Sequence, residues 1–182
     1  MGARTYWAAP LAPLNFADGT ANATASLADI SPAPQKVIPP DWLELGTIVR
    51  LRARGEYTCG TTATNLTIGF YWGGAAANLP VASNATTPSA LTVSQTSVPW
   101  WMEYEGEIRA LGTSGSVKGM GMLKLASSLT AWTEIPIPQT LALRTTAIDT
   151  TARKPITVAA LVSQTVGAPT VSCYGLTAEF LG

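Results

Sequence analysis

Three glutamates, Glu103, Glu105 and Glu107, stand at every second position of one segment, and a strand would carry all three on one face. Acids gathered this way are the raw material of glycosidic cleavage or of a calcium site. Successive members of the row would stand about 7 Å apart, twice the ~3.3 Å rise per residue, so an ion would need further oxygens from a nearby loop. No Asp-rich loop with glycine supplies them, and the row reads as a solvated or interfacial line of charge. Arg50, Arg52 and Arg54 form a second row with the same period. Each row repels itself, but laid side by side as antiparallel neighbours the two cancel as cross-strand pairs. Such pairing could lie inside one chain or between subunits. If exposed, each pair is worth a few tenths of a kcal/mol to about 1, enough to set register and partner but not to hold an assembly.

Other chemistry is poorly provided for. The 182 residues contain no histidine, so neither a Ser-His-Asp nor a Cys-His arrangement can be built, and the commonest general base and metal ligand is missing. Lysine or carboxylate mechanisms stay open in principle, but one acidic row with no base beside it does not make an enzyme. Gly112-Thr113-Ser114-Gly115 and Gly119-Met120-Gly121 lack the Gly-Lys-Ser/Thr ending and following helix of a phosphate loop, and read as a hairpin turn and strand glycines. Tyr71, Trp72, Trp100, Trp101 and Tyr104 raise the idea of a sugar-stacking platform. Trp100 and Trp101 must point to opposite sheet faces, however, so core and subunit interface suit these aromatics better. No catalytic residue, metal or cofactor is expected. A nucleic-acid role is disfavoured by a net charge of +0 and by Glu56 continuing the arginine row, and no apolar run is long enough for a membrane helix.

The elements that would position these rows are strands. From Thr47 to Tyr57, Val49, Leu51, Ala53 and Tyr57 alternate with Arg50, Arg52, Arg54 and Glu56, the pattern of a half-buried strand. Leu66, Ile68, Phe70 and Trp72 repeat it around Thr67, Gly69 and Tyr71 until Gly73-Gly74 breaks it. Trp100, Met102, Tyr104, Ile108 and Ala110 alternate with Trp101, the glutamates and Arg109. Further strands are predicted at Val117 to Leu125, Ala142 to Ile148, Ile156 to Val162 and Thr170 to Leu181. One short helical stretch, Ser83 to Val93, is weakened by Pro88. Seven or eight strands at this spacing predict an all-β, antiparallel sandwich or small barrel.

Residues 1–40 differ from the body at 41–182, with six of the chain's 13 prolines. Proline removes backbone donors and favours extended geometry, which predicts an arm rather than a helix or central strand. Tyr6, Trp7, Leu11, Leu14 and Phe16 are large apolar side chains that a solvated linker would not need. The arm either docks on a neighbouring subunit or folds back over its own domain. Cys59 and Cys173 are expected as free, buried thiols of a protein made in the cytosol, because the opening residues do not match a secretory signal. Only 12% of the chain is charged, about half the usual share, and 47% is hydrophobic. A surface so poor in charge is easily desolvated and favours permanent contacts, so homo-oligomerisation is expected, with interface candidates in the arm residues, Trp101 and the two charge rows.

The stretch Ser97-Val98-Pro99-Trp100-Trp101-Met102-Glu103-Tyr104-Glu105-Gly106-Glu107-Ile108-Arg109-Ala110-Leu111-Gly112-Thr113-Ser114-Gly115 resembles virion structural proteins of tailed bacteriophages, particularly those of actinobacteria. Leu66-Thr67-Ile68-Gly69-Phe70-Tyr71-Trp72-Gly73-Gly74 and Ala147-Ile148-Asp149-Thr150-Thr151 add to the likeness, which covers about residues 45 to 180. The resemblance implies a jelly-roll β-sandwich that trimerises on the outside of the capsid or on the tail. The expected function is that of a capsid decoration, or cement, protein in the virion, bound to the major capsid protein or another virion protein. A tail, baseplate or head-fibre component and a carbohydrate-binding receptor module are the alternatives.

Overall fold

The period-two segments assemble into two antiparallel sheets packed face to face. The computed structural model describes residues 5–6, 19–22, 26–32, 36–127, 131–164 and 166–182. In chain order the strands are β1 (Thr5–Tyr6), β2 (Gly19–Asn22), β3 (Ala28–Asp29), β4 (Lys36–Ile38), β5 (Ile48–Cys59), β6 (Asn65–Trp72), β7 (Pro80–Ser83), β8 (Ser89–Ala90), β9 (Gln95–Ala110), β10 (Gly115–Ala126), β11 (Trp132–Ile137), β12 (Thr145–Ile148), β13 (Lys154–Val162) and β14 (Thr170–Leu181). The large sheet runs β1-β14-β5-β9-β10-β11, with β2 also on β14 and β12 also on β10. The small sheet runs β3-β13-β6-β7, with β4 on β13 and β8 on β6. The all-β sandwich is thus present, built from fourteen described strands rather than about eight, the excess being pieces of two to four residues along the edges.

Alternation explains the long strands. Val49, Leu51, Ala53 and Tyr57 of β5 and Trp100, Met102, Tyr104 and Ile108 of β9 all face the core, where they meet Leu66, Ile68, Phe70 and Trp72 of β6. Each large apolar side chain removed from water this fully contributes roughly 1.5–3 kcal/mol. Trp100 needs a gap in the neighbouring strand, and Gly55 supplies it: a Cβ there would stand 2.6 Å from Trp100 Cζ2. The indole then donates from Nε1 to the Glu56 carbonyl at 3.2 Å, so its polar atom is satisfied inside the core.

Several expectations are corrected. β6 is buried on both faces rather than one, because Thr67, Tyr71 and the facing Thr157 and Ala159 of β13 are covered as completely as the core side. The span Ser83 to Val93 holds no helix; it contains the end of β7, a turn and β8. Ala142 to Ile148 is not one strand, since a 3₁₀ turn at Leu141–Arg144 precedes β12. β11 was not foreseen, because Pro136 interrupts its pattern.

The described parts of residues 1–40 lie on the chain's own sheets. β1 and β2 pair with β14, and β3 and β4 pair with β13. For these segments the arm folds back over its own domain. Trp7, Leu11, Leu14 and Phe16 lie outside the described residues, as does the side chain of Tyr6. Cys59 and Cys173 are buried and not joined in a disulfide.

Candidate protein-binding face

Pairing of β5 with β9 brings the two charge rows together inside one chain. The register sets Arg50 opposite Glu105, Arg52 opposite Glu103, Arg54 opposite Trp101 and Ile48 opposite Glu107. Because side chains alternate, all of these point to the outer surface of the large sheet while their neighbours fill the core. The question left open by the residues alone, internal or between subunits, is settled for these pairs as internal. Arg50 Nε donates to Glu105 Oε2 at 2.6 Å, with both side chains about half exposed.

The next strands continue the surface. Across β9, the β10 register places Lys118 opposite Glu107, Met120 opposite Glu105, Met122 opposite Glu103 and Lys124 opposite Trp101. Lys124 Nζ lies 2.7 Å from Glu134 Oε1 on β11 and 5.8 Å from the centroid of the Trp101 ring. The Glu134 carboxylate, first through its hydrogen bond and then through its charge, raises the Lys124 ammonium above its ordinary range. Arg109 Nη1 donates to Glu107 Oε1 at 2.8 Å on the same strand. On the far side, β14 sets Glu179 opposite Arg50 and Thr177 opposite Arg52. Arg52, Arg54 and Glu103 belong to none of the three ion pairs.

The sorting of charge is pronounced. Arg50, Arg52, Arg54, Arg109, Lys118 and Lys124, six of the 11 bases, share this face with Glu56, Glu103, Glu105, Glu107, Glu134 and Glu179, six of the 11 acids. Met120, Met122 and Trp101 lie among them, and Met120 is 54% exposed. Arginine, methionine and tryptophan are residue types enriched where proteins meet. Sequence reasoning found the β5 and β9 rows and missed Lys118, Met120, Met122 and Lys124, although the same period of two marks them opposite Val117, Leu123 and Leu125.

The opposite outer surface differs. On the small sheet, Thr67, Tyr71, Thr157 and Ala159 are buried, and Thr157 Oγ1 donates to Asp29 Oδ1 at 2.7 Å. The same carboxylate accepts from the Ala75 backbone N–H at 2.8 Å, fastening β3 and the 3₁₀ turn Ala75–Ala77 against β13. Only the large sheet leaves a broad face open among the described residues.

Most of the sheet aromatics considered from the sequence lie in the core. Trp72, Trp100, Tyr57, Tyr71 and Tyr104 are 1–2% exposed, and Trp72 Nε1 donates to the Asp149 carbonyl at 3.2 Å. Of the aromatics considered for a sugar platform, Trp101 alone is not buried. The glutamate row is interleaved with bases, and among the described residues no group of three or more acids or cysteines is placed to hold a metal ion. No helix among them is long and apolar enough to cross a membrane. Comparison with protein-family models, with curated proteins and with solved structures finds no match for this chain.

Proposed function

We propose that this chain is a structural virion protein that works by binding other proteins, and specifically a capsid decoration protein on an assembled phage head. The observation that carries the reading is the open outer face of the large sheet, where twelve charges of balanced sign and three adaptable apolar side chains are gathered on a chain otherwise poor in charge. An open, chemically sorted sheet face suits recognition of another protein surface better than enclosure of a small molecule. The jelly-roll form and the phage context come from the resemblance of the strand and turn segments quoted above. The partner in this reading is the major capsid protein or another virion protein, alongside further copies of the chain itself. Binding only the expanded lattice would stabilise that lattice by mass action, as any ligand selective for one state does.

The test is imaging of virions that carry a label at the C-terminus of this chain. Many labelled copies spread over the shell are expected. Label confined to the tail would transfer the protein to the tail, and particles without label would remove it from the virion.

A further inference from the structure

Among the described residues the strand edges of the sandwich are short or interrupted. β14 carries β1 and β2 at its two ends, and β13 carries β3 and β4. The outer edge beyond β10 is shared by β11 and β12 and that beyond β6 by β7 and β8; β11 and β7 contain Pro136 and Pro80, which cannot donate to an incoming strand, and β12 and β8 are only four and two residues long. The outer face of the small sheet is already covered. What remains for association is the outer face of the large sheet.

Signs on that face run in stripes along the strands. β5 is basic at Arg50, Arg52 and Arg54, and β9 is acidic at Glu103, Glu105 and Glu107. A surface striped in this way is complementary to itself under one kind of symmetry. A twofold axis lying in the face across the strands would set each stripe on its own image, like on like. A twofold axis parallel to the strands, between β5 and β9, sets the basic stripe of one copy on the acidic stripe of the other. Because residues paired within the chain share one height along the strands, that axis brings Arg50 over Glu105 and Arg52 over Glu103 of a second copy with no shift in register. The same operation lays Arg54 over Trp101, a guanidinium on an indole.

We propose that the outer face of the large sheet is a self-association surface, closed by a twofold axis parallel to β5 and β9. Overlap of β14, β5, β9 and β10 with their images spans about 19 Å at ~4.8 Å per strand and about 40 Å along twelve residues. That gives about 750 Å² per copy, close to the ~800 Å² of a standard interface. Ion pairs stacked this way fix orientation, and the same axis lays Met122 over Thr177 and Met120 over Glu179 of the second copy, removing the apolar area of these side chains and of Trp101 from water. The inference concerns copies of the chain and does not depend on membership of a virion. It favours even copy numbers, in contrast to the trimer that the phage resemblance implies.

The test is the native mass of the full chain by sedimentation, across concentration and salt, for three sequences. The unaltered chain is expected to form dimers that weaken as salt rises. Glu103→Arg is expected to weaken them about tenfold or more, by placing like charges over each other twice. Arg52→Glu combined with Glu103→Arg restores opposite signs within and between copies and is expected to recover the dimer, with melting curves confirming that each variant is folded. A chain monomeric at every concentration, a trimer, or a dimer indifferent to Glu103→Arg would overturn the proposal. So would loss of binding to some other protein in Glu103→Arg while the unaltered chain stays monomeric, since the face would then belong to that partner.

Discussion

Tyr104 lies across Gly119 on the inner side of the large sheet, its hydroxyl 2.5 Å from where a Cβ of residue 119 would stand. The ring fills the space left by two missing side chains, Gly106 on its own strand and Gly119 on β10, which are direct cross-strand partners. Its Oη is buried with no hydrogen-bond partner. Tyr104→Phe is therefore expected to raise stability by about 1 kcal/mol, because an unsatisfied buried hydroxyl is a cost that phenylalanine does not carry. Gly119→Ala should lower it by about 2 kcal/mol or more, since the added carbon meets backbone of β9 as well as the ring. Urea titration of both variants measures this, and a destabilised Tyr104→Phe would show that the hydroxyl is satisfied after all.

Alkaline pH should unfold the chain through its buried phenols. Burial raises the ionisation of Tyr104, Tyr71 and Tyr57 above the ordinary value of 10.0, so the fold holds their protons more tightly than the unfolded chain does. Their contribution is complete below about pH 10 and is lost as pH rises from there through the folded values. Melting temperature followed upward from pH 9 should fall, and the fall should be shallower in Tyr104→Phe. Equal slopes in the two proteins would dismiss Tyr104 as a source.

Asn84, fully buried, stands in for a missing strand. Its Oδ1 accepts from the Ile68 N–H at 2.7 Å, and its Nδ2 donates to the Leu66 carbonyl at 2.9 Å and to Ser89 Oγ at 2.8 Å. Where β7 leaves β6, this one side chain continues the ladder. Asn84→Ala leaves two buried backbone groups unpaired and is expected to cost about 3 kcal/mol in denaturant titration. Hydrogen exchange at the Ile68 amide should accelerate with it.

The Arg50–Glu105 pair joins two residues far apart in sequence at 2.6 Å, yet its side chains are 41% and 58% exposed. Geometry this close does not imply a large energy when water and salt compete. Measured at a dilution where the chain is monomeric, a double-mutant cycle to alanine should return a coupling of about 0.2–1 kcal/mol, reduced at high salt. A coupling of several kcal/mol, insensitive to salt, at that dilution would mean the pair is shielded within the single chain.

Legibility in the sequence followed burial. β5, β9, β10 and β14 were readable because many of their residues alternate between core and water, and a period of two survives in the letters, whereas β13, buried on both faces, was readable as a short apolar run. β6 carries the same alternation but is buried on both sides, so Thr67 and Tyr71 looked like solvent positions although they are covered. The short strands of the first forty residues and the proline-bearing β11 have no run long enough to show a period. Of the candidate face, both rows and their opposition were visible. Whether they met within the chain depended on long-range pairing, which neither row encodes alone, and burial of Trp72 and Tyr71 depended on the second sheet.

The interrupted edges also bear on storage and crowding. A β protein with no net charge held at high concentration is exposed to fibre growth, which requires that each added chain present a fresh, continuous ladder to the next. Here the described edges carry proline, are only two to four residues long, or are broken up by the chain's own first strands. A contact made through the open face about a twofold axis uses that face up on both copies, so association stops after one step instead of propagating.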